Sequence, residues 1–161
     1  MKRLIFIAIF GFILNSYALT EVCFSPSSCC EDNIIELANN SKKKIDIAIY
    51  SFTNQRIYNS LLLAKQRGVK IRIVTDKSQS KGTNSLITNL EEDGFNMRMK
   101  KKVRIEHNKF AIFDDKFIIT GSYNWTKSAT EANSENCLVD EREHIVKQYN
   151  KRFEELWQMY K

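Results

Sequence analysis

Proline occurs once and glycine five times in this 161-residue chain, which excludes a collagen-like repeat, a Pro-rich tract and a long flexible linker. Histidine occurs only twice, as His107 and His144. Charge of one sign is only in modest excess: 25 Lys and Arg stand against 19 Asp and Glu, a net +6 with a pI near 9.1. That excess favours polyanionic partners, nucleic acid or anionic head groups, without choosing between them. With 43% hydrophobic and 27% charged residues, the chain has the composition of one compact domain with a single core.

The amino terminus has the pattern of a targeting segment. Met1-Lys2-Arg3 is a basic start, Leu4 to Leu14 is apolar apart from one Gly, and Asn15-Ser16-Tyr17-Ala18 places small residues where a signal peptidase reads. Residues 1–18 are therefore expected to be a signal peptide, with 19–161 the functional domain. The alternative is a retained membrane anchor, although eleven apolar residues are short for a span. Thr20-Glu21-Val22 ahead of Cys23 is not a lipoprotein pattern. Cleavage after Ala18 leaves 23 basic and 19 acidic residues, and it predicts a secreted, periplasmic or cell-envelope protein, or one anchored facing outward.

All four cysteines, Cys23, Cys29, Cys30 and Cys137, lie beyond that segment, and an oxidising compartment permits bridges among them. Adjacent cysteines rarely pair with each other, so Cys23 with Cys29 or Cys30 is the expected short loop. A zinc site there lacks a fourth ligand, since no His lies nearby. Cys137, within the apolar Cys137-Leu138-Val139, is expected to be a buried thiol.

Strand and helix signals alternate along the rest. Val22 to Ser25 predicts a short strand, and Asp32 or Asn33 predicts the cap of a helix running to about Lys43. Ile45 to Tyr50, Gln55 to Arg67 and Val69 to Thr75 read as a βαβ unit, with its two strands parallel and a right-handed crossover. Thr83 to Asp93 reads as a helix and Phe95 to Met99 as a strand. Arg104 to Phe113 and Lys116 to Thr120 read as a hairpin turning at Asp114-Asp115. Asn136 to Val139 is one more strand, and Arg142 to Tyr160 a closing amphipathic helix. The fold class is α/β, a mixed sheet with helices on both faces.

The chemistry concentrates between His107 and Asp114. In an extended segment His107 and Lys109 project from the same face, about 7 Å apart, so a nucleophile or base and a fixed cation share one pocket. Asp114 has the opposite parity and is expected to stabilise the turn or buttress the motif. Beyond the second hairpin strand, Gly121 permits close backbone approach, while Ser122 and Asn124 offer short hydrogen-bonding groups to phosphate oxygens. Glu135 is the candidate carboxylate to hold one nitrogen of the His107 ring.

His107-x-Lys109-x4-Asp114, followed by Gly121-Ser122-x-Asn124 and Glu135, resembles the motif of the phospholipase D superfamily. Tyr50-Ser51-Phe52-Thr53, Arg67-Gly68-Val69 and Ser134-Glu135-Asn136 are similar to the small Nuc-type bacterial endonucleases, with mitochondrial Zucchini-type enzymes as more distant relatives. The similarity extends over residues 22–160. It implies catalytic roles for His107, Lys109, Asp114 and Glu135, substrate contacts from Lys109, Ser122 and Asn124, and no metal or other cofactor. It also implies a covalent phosphohistidine: one His attacks phosphorus and a second protonates the leaving oxygen. His144 lies in the closing helix and has no Lys two positions on, so the second catalytic His is expected from another copy of the chain. That arrangement is a homodimer with its two-fold axis through the site.

The basic run Arg98 to Arg104 and the aromatic residues Phe52, Tyr123 and Trp125, which offer stacking surfaces, favour a nucleic acid substrate, single-stranded DNA or RNA. A phospholipase D acting on phospholipid or cardiolipin is the alternative. It calls for an apolar interfacial insertion, for which the roughly 143 residues after Ala18 leave no room. A binding protein that keeps the fold without catalysis is disfavoured by the intact His107, Lys109 and Glu135.

Overall fold

A computed structural model describes residues 19–82, 84–99 and 105–160. The expected signal or anchor (1–18), the expected helix start at Thr83 and most of the basic run (100–104) lie outside the described residues. Seven strands form one mixed sheet: β1 (Thr20–Ser25), β2 (Lys44–Ile49), β3 (Lys70–Thr75), β4 (Asn96–Met99), β5 (Lys109–Phe113), β6 (Phe117–Gly121) and β7 (Glu135–Asp140). Their spatial order is β1-β7-β6-β5-β2-β3-β4. The helices are α1 (Cys29–Asn40), α2 (Gln55–Gln66), α3 (Ile87–Glu92), α4 (Lys127–Glu131) and α5 (Glu143–Met159). The expected βαβ unit is present, β2 pairing in parallel with β3 across α2, and β5 and β6 form the expected hairpin.

Alternation along the strands divides the core in two. Ile45, Ile47 and Ile49 of β2 face α1 and α2, packing with Ile34, Ala38, Ile57 and Leu61. Ala48, Val74, Phe110, Ile112 and Ile118 face the other way and are covered by Val146, Phe153, Leu156 and Trp157 of α5. On this second face a buried carboxylate, Asp46, receives a two-pronged Arg72 guanidinium at 2.7 and 2.8 Å. Arg72 also reaches Glu154 of α5 at 2.5 Å and lies over the rings of Phe153 and Trp157. A charge buried this deeply persists only when its hydrogen bonds are made, and here they also fasten α5 to the sheet.

Three expectations are corrected. First, α1 starts at Cys29, a turn before the expected caps, with Glu31 and Asp32 inside its first turn, where carboxylates complement the helix dipole. It ends at Asn40 rather than near Lys43 because Asp114 captures the backbone N–H groups of Lys42, Lys43 and Lys44. Second, the helix expected from Thr83 is shorter: Asp76 caps a 3-10 turn over Lys77–Lys81, and α3 begins only at Ile87, where apolar residues become available to bury. Third, Cys137 is not a free thiol. Cys23 and Cys137 are opposite one another on β1 and β7, on the face that α1 covers, so Cys30 of α1 bridges to Cys137 while Cys23 takes Cys29.

Candidate active site

The proposed site residues other than Asp114 gather at one end of the sheet. Lys109 opens β5 beside Ile49, the last residue of β2, while Gly121 closes β6 and Glu135 opens β7. This is also the carboxyl end of the parallel strands β2 and β3, the edge where open α/β sheets bind ligands.

His107 itself is not in a strand. The expected strand from Arg104 begins only at Lys109, and residues 105–108 form no ladder. His107 nonetheless converges with Lys109, because the flexible lysine folds back: its Nζ lies 3.1 Å from His107 Nδ1 and donates to the His107 carbonyl at 2.7 Å. The imidazole is exposed and the ammonium half-buried. Burial lowers the Lys109 pKa, and the nearby carboxylates of Glu135 and Glu106 only partly oppose it. With Nδ1 accepting from Lys109, a neutral ring carries its proton on Nε2, a tautomer that neither attacks through Nε2 nor serves as the acid, a role that belongs to the imidazolium. The nucleophilic form needs Nε2 bare.

Glu135 does not hold this ring. Its carboxylate accepts from Ser122 Oγ at 2.5 Å and from Asn133 Nδ2 at 3.1 Å. Ser122 in turn accepts from the Asn136 backbone N–H at 3.1 Å, so its hydroxyl fixes Glu135 against the start of β7. Asn124 Oδ1 accepts from the Ser51 backbone N–H at 3.3 Å, tying the segment after β6 to the end of β2. The close approach that Gly121 permits is to β7: a Cβ there would lie 2.2 Å from the Asn136 carbonyl oxygen.

Asp114 lies at the other end of β5, about 16 Å from Lys109 by strand rise, and touches no site residue. Asp114 and Asp115 both have positive φ, as the turn of this hairpin requires. Burial favours the protonated acid, but the three backbone N–H bonds at 2.8 to 2.9 Å outweigh it and hold the Asp114 carboxyl below its usual range. The expected buttress is therefore found, and a catalytic contact is not. Phe52, Tyr123 and Trp125 are each 2% exposed or less and belong to the core, so they offer no stacking surface.

Tyr50 stands outside the motif positions yet borders the pair. Its ring centroid lies 4.6 Å from that of His107, and Lys109 Nζ sits 5.4 Å from its ring. The available signal was its position directly after a strand at the carboxyl end of the sheet. Among the described residues, the groups of metal-ligating side chains that converge are Cys23, Cys30, Cys137 and Glu21, Cys23, Cys29, both at the disulfides, and neither includes His107.

An exposed His and a desolvated Lys at this edge, with a hydroxyl, an amide and a carboxylate at the neighbouring strand ends, are the residue types of a phospholipase D site. The chain belongs to that family: the family described as "Cardiolipin synthase, PLD-like domain" matches residues 34–157. Relatives include the mitochondrial cardiolipin hydrolase of Xenopus tropicalis, 33% identical over 79% of this chain and 60% of its own length. A phospholipase D of Rickettsia prowazekii is 31% identical over 84% of this chain and 70% of its own. The chain thus spans about 60% of the length of the first of these. Among solved structures, Nuc from Salmonella typhimurium, a phospholipase D family member, superposes with a TM-score of 0.83 at 28% identity, covering 90% of this chain and 97% of Nuc.

Proposed function

We propose that this protein is an exported, metal-independent phosphodiesterase that cleaves DNA or RNA, with single strands favoured, through a phosphohistidine formed on His107 in a homodimer. The observation that carries the reading is the exposed His107 imidazole with Lys109 Nζ 3.1 Å away, in a chain holding one such pair. In the first step His107 Nε2 attacks phosphorus, the P–O bond to the leaving nucleotide breaks, and His107 of a second copy gives that oxygen its proton. Lys109 offsets the charge growing on the phosphoryl oxygens. In the second step water attacks phosphorus, the P–N bond breaks, and the second imidazole takes the water's proton, which restores both rings.

Nucleic acid is favoured by the excess of 23 basic over 19 acidic residues that remains beyond Ala18 and by likeness to Nuc across nearly all of that chain. Export is supported by the engagement of all four cysteines in disulfides, which persist in oxidising compartments. The second reading, cleavage of cardiolipin or another phospholipid, draws on the relatives named for it. The deciding experiment incubates the protein in chelator with labelled single-stranded DNA, RNA and cardiolipin, then quenches in alkaline detergent, in which a phosphohistidine survives, to trap phosphorus on protein. We expect nucleic acid cleavage and a label on His107. Lipid turnover without nucleotide cleavage, or label on another side chain, overturns the reading.

A further inference from the structure

Beneath the exposed imidazole lies a buried acidic network that the sequence motif does not contain. Glu106, immediately before His107, is 2% exposed, although it stands in a stretch with no ladder hydrogen bonds. Its backbone N–H donates to Asp76 Oδ2 at 2.8 Å. Its Oε1 accepts from Asn108 twice, from the backbone N–H at 3.0 Å and from Nδ2 at 2.5 Å, and its Oε2 accepts from the Tyr160 hydroxyl at 2.7 Å. Asp76, fully buried at the end of β3, also receives the Ser78 N–H and hydroxyl. Tyr160 is 2% exposed at the end of α5, and burial together with its bond to Glu106 raises its pKa.

The pattern brackets one residue. The bonds from Glu106 to Asn108 pass across His107, and the Lys109 ammonium on the His107 carbonyl closes the other side. The backbone of a residue outside any strand is thus held from both flanks while its ring stays exposed. The last turn of α5 also holds β4, since the Trp157 carbonyl accepts from Arg98, whose guanidinium lies 4.1 Å from the Trp157 ring. A buried carboxylate is unfavourable unless every lone pair is engaged, and an apolar side chain would fill the same space more stably. A positional demand explains its presence.

We propose that Glu106 and Tyr160 are positioning residues for His107: the tyrosine hydroxyl fixes the carboxylate, and the carboxylate fixes the loop that presents the imidazole. The proposal rests on His107 being the reacting group, so its test reads His107 directly as well as through turnover. With two histidines per chain, a His144→Gln variant assigns both sets of imidazole resonances. Tyr160→Phe is expected to shift or broaden the His107 resonances, leave those of His144 in place, and lower kcat about tenfold with KM within about twofold, since small displacements of a reacting group are costly in rate. Glu106→Gln is expected to lose about a hundredfold in kcat, and the double variant no more than that, because both changes break one chain of bonds. Unchanged His107 resonances in Tyr160→Phe overturn the proposal. So does an equal disturbance of both histidines with a lowered melting temperature. If Tyr160→Phe moves the His107 signal while His107→Ala retains full turnover, the positioning stands and the phosphohistidine reading falls.

Discussion

The two ends of strand β5 carry one sequence motif and do opposite things. At one end His107 is exposed and Lys109 half-buried, and neither belongs to the core. At the other, Asp114 makes three backbone hydrogen bonds and touches no other site residue. The motif therefore joins two structural settings, a His-Lys pair at the edge of the sheet and a carboxylate that fastens the hairpin.

The sharpest way to break this contrast is His107→Ala. Phosphodiester cleavage should fall by at least about 10⁴-fold with an unchanged melting temperature, because an exposed ring contributes little to stability. An equal loss of stability would erase the distinction between the two ends. Mixed dimers extend the test: when wild-type and His107→Ala chains are refolded together in equal amounts, turnover should drop to about a quarter, the share of fully wild-type pairs. Activity in proportion to wild-type chains would mean that sites are not shared.

Strand β7 repeats the contrast, with Glu135 at the site and Cys137 holding α1. Replacing Cys30 and Cys137 together by Ala should reduce stability by about 4 to 5 kcal/mol in denaturant melts under non-reducing conditions, the expectation for a closed loop of this span. Asp114→Ala should cost about 2 to 3 kcal/mol by the same measurement, through lost charge-assisted bonds, while turnover per folded molecule is retained. A collapse of turnover in the folded fraction would instead tie Asp114 to the chemistry.

The smallest effect is in pH. The folded pKa of Asp114 lies below its ordinary value of 3.8, so its contribution is complete above that value and is lost as pH falls through the lower folded pKa. The stability gap between wild type and Asp114→Asn should therefore be constant near neutrality and narrow below about pH 4. A gap that widens on acidification would contradict the assigned hydrogen bonds.

Much of the fold was legible because its signals are local. Isoleucines alternating through β2, the start of α2 at Gln55 and the Asp-Asp turn each rest on signals within a few residues, and each stands where expected. The pairing of His107 with Lys109 was legible for the same reason. Its route was not, since the lysine reaches back from a strand to a loop rather than sharing a strand face. Tyr50 against His107, Cys30 against Cys137 and Tyr160 against Glu106 join residues more than 50 positions apart, and no spacing rule records such contacts.

The family, the proximity of His107 and Lys109 and the α/β alternation were determined by the sequence alone, through residue types at short separations. Only the tertiary structure decided that Asp114 fastens a hairpin, that Ser122 holds Glu135, that the three aromatic candidates are core, and that Tyr160 at the end of α5 meets Glu106 beside His107. The physical reason is that each of these depends on which partner a polar or apolar group meets after burial, and the sheet order, which no short stretch of chain encodes, selects that partner.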